Sequence, residues 1–158
     1  RYSRFVQSID DSQQSIISNE TTMTVIKVVT PTIGEFLTFD VAFGIPLKVE
    51  QPADDLNPPF SFFTTPFIYG GISAFLRDNG DGIVNVISSS TEAIIETVGS
   101  VDYNSGLIQL SNLKIGNLFG RGIKFIATPL NKDISTTNNV IINIIEEDIN
   151  LTVNPIRV

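Results

Sequence analysis

Side chains branched at Cβ dominate this chain: 23 Ile, 13 Val and 14 Thr stand against 10 Leu and only 5 Ala. Such side chains are stiff about χ1 and crowd a helical turn, whereas on a pleated surface they pack well. The bias points to sheet. The patterning agrees at its clearest point, where Leu37, Phe39, Val41 and Phe43 alternate with Thr38, Asp40 and Ala42. A period of two of that quality describes a strand with one buried face.

Other stretches repeat the theme. The run TTMTVIKVVT (21–30) ends at Pro31 and reads as a strand. Asp78-Asn79-Gly80-Asp81-Gly82 sits between two β-rich arms as a hairpin turn. Val98 to Tyr103 and Leu107 to Leu113 flank Asn104-Ser105-Gly106 as a second hairpin. Gly122 to Thr128 alternates again, and the glycines at 116, 120 and 122 read as a loop. Asn139 to Ile145 is nearly all β-branched and is expected to be a strand buried on both faces, with a helix over 138–149 capped by Asn138 as the competing reading. Eight or so strands at short spacing define the expected class. It is a mainly-β fold with little helix: a β-sandwich or two-layer antiparallel β domain built from hairpins.

At 158 residues the chain suits one domain with a core that needs no disulfides. Residues 1–20 read as an N-terminal arm or linker and 21–158 as the β domain. The chain opens on Arg1 without a basic-then-apolar leader, and reads as an internal or processed piece. No stretch approaches the ~18 consecutive apolar residues of a spanning helix.

The segment 50–66, EQPADDLNPPFSFFTTP, reads as a loop, because its four prolines and Asp54-Asp55 are unsuited to the middle of a sheet. It also carries aromatic rings that water disfavours. Two readings stay open: the rings fold back over the core, or they bury on a neighbouring chain. Under the second, Phe60, Phe62, Phe63 and Phe67 form the candidate interface.

The absence of His and Cys removes the usual tools of nucleophilic catalysis and zinc binding. A formal charge of −7 argues against a polyanion partner such as nucleic acid, since phosphates are neutralised by clustered Lys and Arg. The Asp78 turn fails as a calcium loop: its third position is Gly80 and its twelfth Ser89. The carboxylates a glycosidase would need (Asp54, Asp55, Glu92, Glu96, Asp102, Glu146, Glu147, Asp148) fall mostly at turns and edges. GNLFGRG (116–122) matches neither a P-loop nor a dinucleotide fingerprint. Asn19-Glu20-Thr21 and Asn150-Leu151-Thr152 are formal glycosylation triplets of a kind that arises by chance. No catalytic, cofactor or metal residue is singled out. The charged fraction of 17% suits a domain packed into an assembly, and suits a compact monomer equally.

Three stretches taken in order carry a resemblance. They are Ser12-Gln13-Gln14-Ser15-Ile16-Ile17-Ser18-Asn19 leading into TTMTVIKVVTP; Phe75-Leu76-Arg77-Asp78-Asn79-Gly80 followed by Val98-Gly99-Ser100-Val101-Asp102-Tyr103-Asn104-Ser105-Gly106-Leu107-Ile108; and Ala127-Thr128-Pro129, Lys132-Asp133-Ile134, Asn138 to Ile144 and Asp148 to Val153. Together they resemble the C-terminal region of the baseplate wedge protein of T-even-like contractile-tailed bacteriophages, a relative of baseplate J-type proteins. The resemblance spans about Ser12 to Val153, leaves the 50–66 segment unmatched, and implies that the chain is a piece of a longer protein. It further implies a virion structural subunit without catalysis or cofactor, assembled in the host cytoplasm. Other copies of the chain, paired as dimers within a ring around the tail hub, and other wedge subunits would be its partners, with no membrane contact. The alternative is a receptor- or carbohydrate-binding β-domain of a tail fibre or adhesin, which would draw on Tyr2, Tyr69 and Tyr103.

Overall fold

The computed structural model describes residues 23–50 and 59–131, together with the single position Gln7. Ten strands follow one another: β1 (Val25–Val29), β2 (Phe36–Ala42), β3 (Phe62–Thr64), β4 (Phe67–Tyr69), β5 (Ile72–Asp78), β6 (Ile83–Ser88), β7 (Ile94–Asp102), β8 (Leu107–Lys114), β9 (Asn117–Leu118) and β10 (Ile123–Ala127). All belong to one sheet in the order β1-β10-β3-β5-β6-β7-β8-β2, with β4 and β9 branching from β5. Every strand pairing is antiparallel. The mainly-β, hairpin-built domain read from the sequence is therefore what the chain forms.

The two ends of the strand order meet. Lys27 on β1 extends its ammonium to the carbonyl of Ala42 on β2. Gly34, in the connection between those strands, donates its N–H to Ile115 O at 2.8 Å. The sheet is thus curled into a nearly closed barrel, which leaves few free strand edges. Its interior is a single apolar cluster that includes Phe62, Leu76, Val84, Ile108, Leu110, Leu113, Ile123 and Phe125. The rings of Phe62 and Phe125 stack across it with centroids 6.2 Å apart. On β2 the inward side is Leu37, Phe39 and Val41, as the alternation required.

Both expected hairpins are present, β5–β6 and β7–β8. A third, β4–β5, turns through Gly70-Gly71, both at positive φ, so that Tyr69 faces Ile72. Consecutive positive φ values are the signature of the two-residue turn whose twist suits a hairpin. At Gly99, in the middle of β7, a Cβ would collide with the backbone carbonyl of Gln109 on β8.

Two loop readings fail. Within the segment read as a loop, Phe62–Thr64 forms β3, which lies inside the sheet between β10 and β5. Pro59 and Pro66 bracket this strand rather than interrupt it, so no missing N–H falls in the ladder. The loop reading of 116–122 is likewise corrected, because Asn117–Leu118 pairs with β4. Apart from Gln7, the N-terminal arm lies outside the described residues, as does the 138–149 strand-or-helix question.

Candidate functional site

Asp78 ends β5 with its side chain inward, and it is buried. Its Oδ1 accepts the backbone N–H groups of Ser61 (2.7 Å) and Phe62 (3.0 Å). Its Oδ2 accepts Gly80 N–H at 3.2 Å and the Tyr103 hydroxyl at 2.9 Å. The Tyr103 oxygen in turn accepts Gly82 N–H at 2.7 Å. One carboxylate therefore joins the entry to β3, the β5–β6 turn and the β7–β8 turn. Burial, then the hydrogen bond to Asp78 and its charge, push the Tyr103 phenol well above its usual range, against the opposing Gly82 contact. Asn79 completes the turn, its Oδ1 accepting from Asp81 N (3.0 Å) and Ile83 N (3.1 Å). The acidic Asn/Gly sequence thus anchors a turn, with both Asp78 oxygens engaged by N–H and O–H donors.

Other carboxylates named from the sequence serve local structure as well. Asp102 accepts from Ser105 Oγ at 2.6 Å and Asn104 N at 3.0 Å, and these bonds hold its carboxyl below the usual range. Glu96 accepts the hydroxyl of Tyr69. Desolvation, followed by the bond to Glu96 and its charge, raises the Tyr69 phenol to about 12.

The Asp78 clamp fixes the backbone that carries the candidate interface rings. Phe62 and Phe67 point into the core and are fully buried, so neither offers surface to a partner. Phe63, between Phe62 and Thr64, faces outward and is 39% exposed. Phe60 is half-buried, and its backbone exchanges two hydrogen bonds with Glu50, at 2.7 and 3.1 Å. Phe60 and Phe63 meet edge to face at 6.1 Å. The guanidinium of Arg77 lies 5.6 Å from the Phe60 ring centre and 5.8 Å from that of Phe75. Such cation–π contacts contribute about 0.5–2 kcal/mol each, and they hold the cation against the rings.

Across the sheet, Ile26, Ile126, Phe63 and Arg77 fall in one cross-strand row. Together with Phe60 and Phe75 they make an apolar outer ridge with one embedded cation. Comparison with protein-family models, curated proteins and solved structures returned no match. The site therefore rests on this geometry alone.

Sequence reasoning picked out Phe60 and Phe63 and missed Ile26, Phe75, Arg77 and Ile126. A signal for two of them was present: Ala74, Leu76 and Asp78 point inward along β5, so Phe75 and Arg77 must point out. The row itself depends on cross-strand register, which no local pattern discloses. Beside the ridge a groove of about 300 Å³ is lined by Val28, Thr65, Pro66, Phe119, Arg121 and Lys124.

Proposed function

We propose that this chain is a structural subunit of a contractile phage tail baseplate wedge, joining wedges into a ring around the tail hub through protein–protein contacts. The outer ridge of Phe60, Phe63, Phe75 and Arg77 is the observation that carries its assembly role. Aromatic rings with an embedded arginine are the residue types enriched where interfaces bury surface. A clamped strand presents them in a fixed geometry, which lowers the ordering cost of association. The ordered likeness of the three sequence stretches to the wedge protein supplies the setting. Under this reading the ridge contacts a second copy of the chain, and the protein resides in the virion.

The fibre or adhesin alternative gains less support. The hydroxyls of Tyr69 and Tyr103 are engaged by Glu96 and Asp78, within the domain's own packing. Gold-labelled antibody against the chain, applied to purified tailed particles from its source, tests the proposal. Label confined to the plate at the tail end is expected. Label on the fibres would favour the alternative, and particles without label would overturn the assignment.

A further inference from the structure

Arg77 carries a positive charge that no neighbouring carboxylate neutralises among the described residues. The one ion pair there joins Lys48 to Glu50, at 3.1 Å. The cross-strand partners of Arg77 are Phe63 and Asn85, neither of them charged. Its guanidinium lies against the Phe60 and Phe75 rings, and its Nε is buried without a hydrogen-bond partner. A cation that rings shield from water attracts a carboxylate more strongly than a fully solvated one. The stacked, planar fork is also held ready for two parallel hydrogen bonds to an acid.

A carboxylate stands on the same surface. Glu50 and Phe60 form an antiparallel bridge, each backbone N–H donating to the other's carbonyl. Residues directly opposed in such a pair project to one face, so Glu50 shares the side of the Phe60 ring. Of the described acidic residues, Glu50 alone is paired with a member of the ridge. Its carboxylate is met by Lys48 in an exposed ion pair, a kind that contributes little and is readily shared.

A two-fold contact uses the same patch on both copies, so the patch must carry each charge together with its opposite. The ridge meets that condition, since Phe60 touches Arg77 and is paired with Glu50. We propose that two copies meet ridge to ridge about a two-fold axis, Arg77 of each pairing with Glu50 of the other. This rests on the reading of the ridge as the contact with a second copy, and names the charges that set its register. Two chains of net charge −7 repel one another at a distance, and the two crossed pairs select this register over others.

Charge reversal in the full 158-residue chain, read by sedimentation equilibrium, tests the pairing. Arg77→Glu alone and Glu50→Arg alone should each weaken the wild-type dimer by about tenfold or more, because like charges then face each other twice. An equimolar mixture of the two variants should recover association to within about threefold of wild type, every crossed pair being again of opposite sign. A role of either residue inside its own protomer would give no such recovery. Thermal melts accompany each sample. Glu50→Gln, which leaves the stacked Arg77 in place, should weaken the dimer by about fivefold, and covers the case in which Arg77→Glu unfolds. A wild-type dimer indifferent to these changes, or folded variants that stay apart on mixing, would overturn the pairing and leave the ridge as the contact surface. A wild-type chain that stays monomeric would overturn the ridge contact itself, and the pairing with it.

Discussion

Strands β1 and β3 flank β10 on opposite sides and are held in opposite ways. β1 is the better strand by composition, VIKVV, yet it stands at the edge with exposed side chains. β3 is three residues of FFT between prolines, yet it is bonded on both sides and seats Phe62 at the centre of the core. Side-chain hydrogen bonds make up what β3 lacks in length. Asp78 takes two N–H groups at its entry, and Thr64 Oγ1 accepts Leu76 N–H at 2.9 Å. Across the seam β1 has Lys27 reaching to Ala42. Intrinsic strand preference says which residues suit a sheet, while burial and polar anchoring decide which strand is central.

The contrast breaks most visibly at the clamp. Replacing Asp78 by Ala leaves three N–H groups and a hydroxyl without their acceptor, at about 1–3 kcal/mol for each one left unpaired in the interior. A loss of at least about 3 kcal/mol in urea unfolding is expected, and a loss below 1 kcal/mol would deny the clamp its role. Phe62→Ala should cost about 3–5 kcal/mol through the cavity it opens. Its outward neighbour Phe63→Ala should cost under about 1 kcal/mol, and equal costs would erase the distinction between the two faces of β3.

Tyr103→Phe is the intermediate case, at about 1–3 kcal/mol near neutral pH, since Asp78 and Gly82 each lose a partner. Its pH dependence has a defined sign. The folded phenol titrates above the unfolded value of about 10, so the stability it supplies is complete below pH ~10 and is lost as pH rises beyond that. Wild-type stability should therefore fall more steeply above pH 10 than that of the Phe variant. Parallel curves would remove Tyr103 from the alkaline response. The smallest effect belongs to β1: Val28→Thr should change stability by no more than about 0.5 kcal/mol, and a large loss would mean that this edge is covered more fully than its exposure states.

The same contrast explains what could be read in advance. The alternation over 36–43 and the two Asn/Gly turns are local signals, and they correspond to β2 and to the β5–β6 and β7–β8 hairpins. β3 was hidden because four prolines in its neighbourhood outweighed three residues of alternation, and its partners β10 and β5 are supplied by distant sequence. The candidate rings divided for a similar reason. Phe60, Phe62, Phe63 and Phe67 look alike in sequence, and only the pleat of β3 and the pairing of Phe67 with Ala74 and Leu118 send two inward. Asp78 was visible as a turn residue, but its inward aim follows from the register of β5.

The proposed role depends on the ridge being an association surface on a scaffold that stays folded without it. Sedimentation equilibrium of the full chain beside a Phe63→Asp variant, with thermal melts of both, addresses this most directly. A wild-type dimer and a monomeric variant with an unchanged melting temperature are expected. A wild-type chain that remains monomeric at every concentration, or a variant that dimerises as tightly, would contradict it.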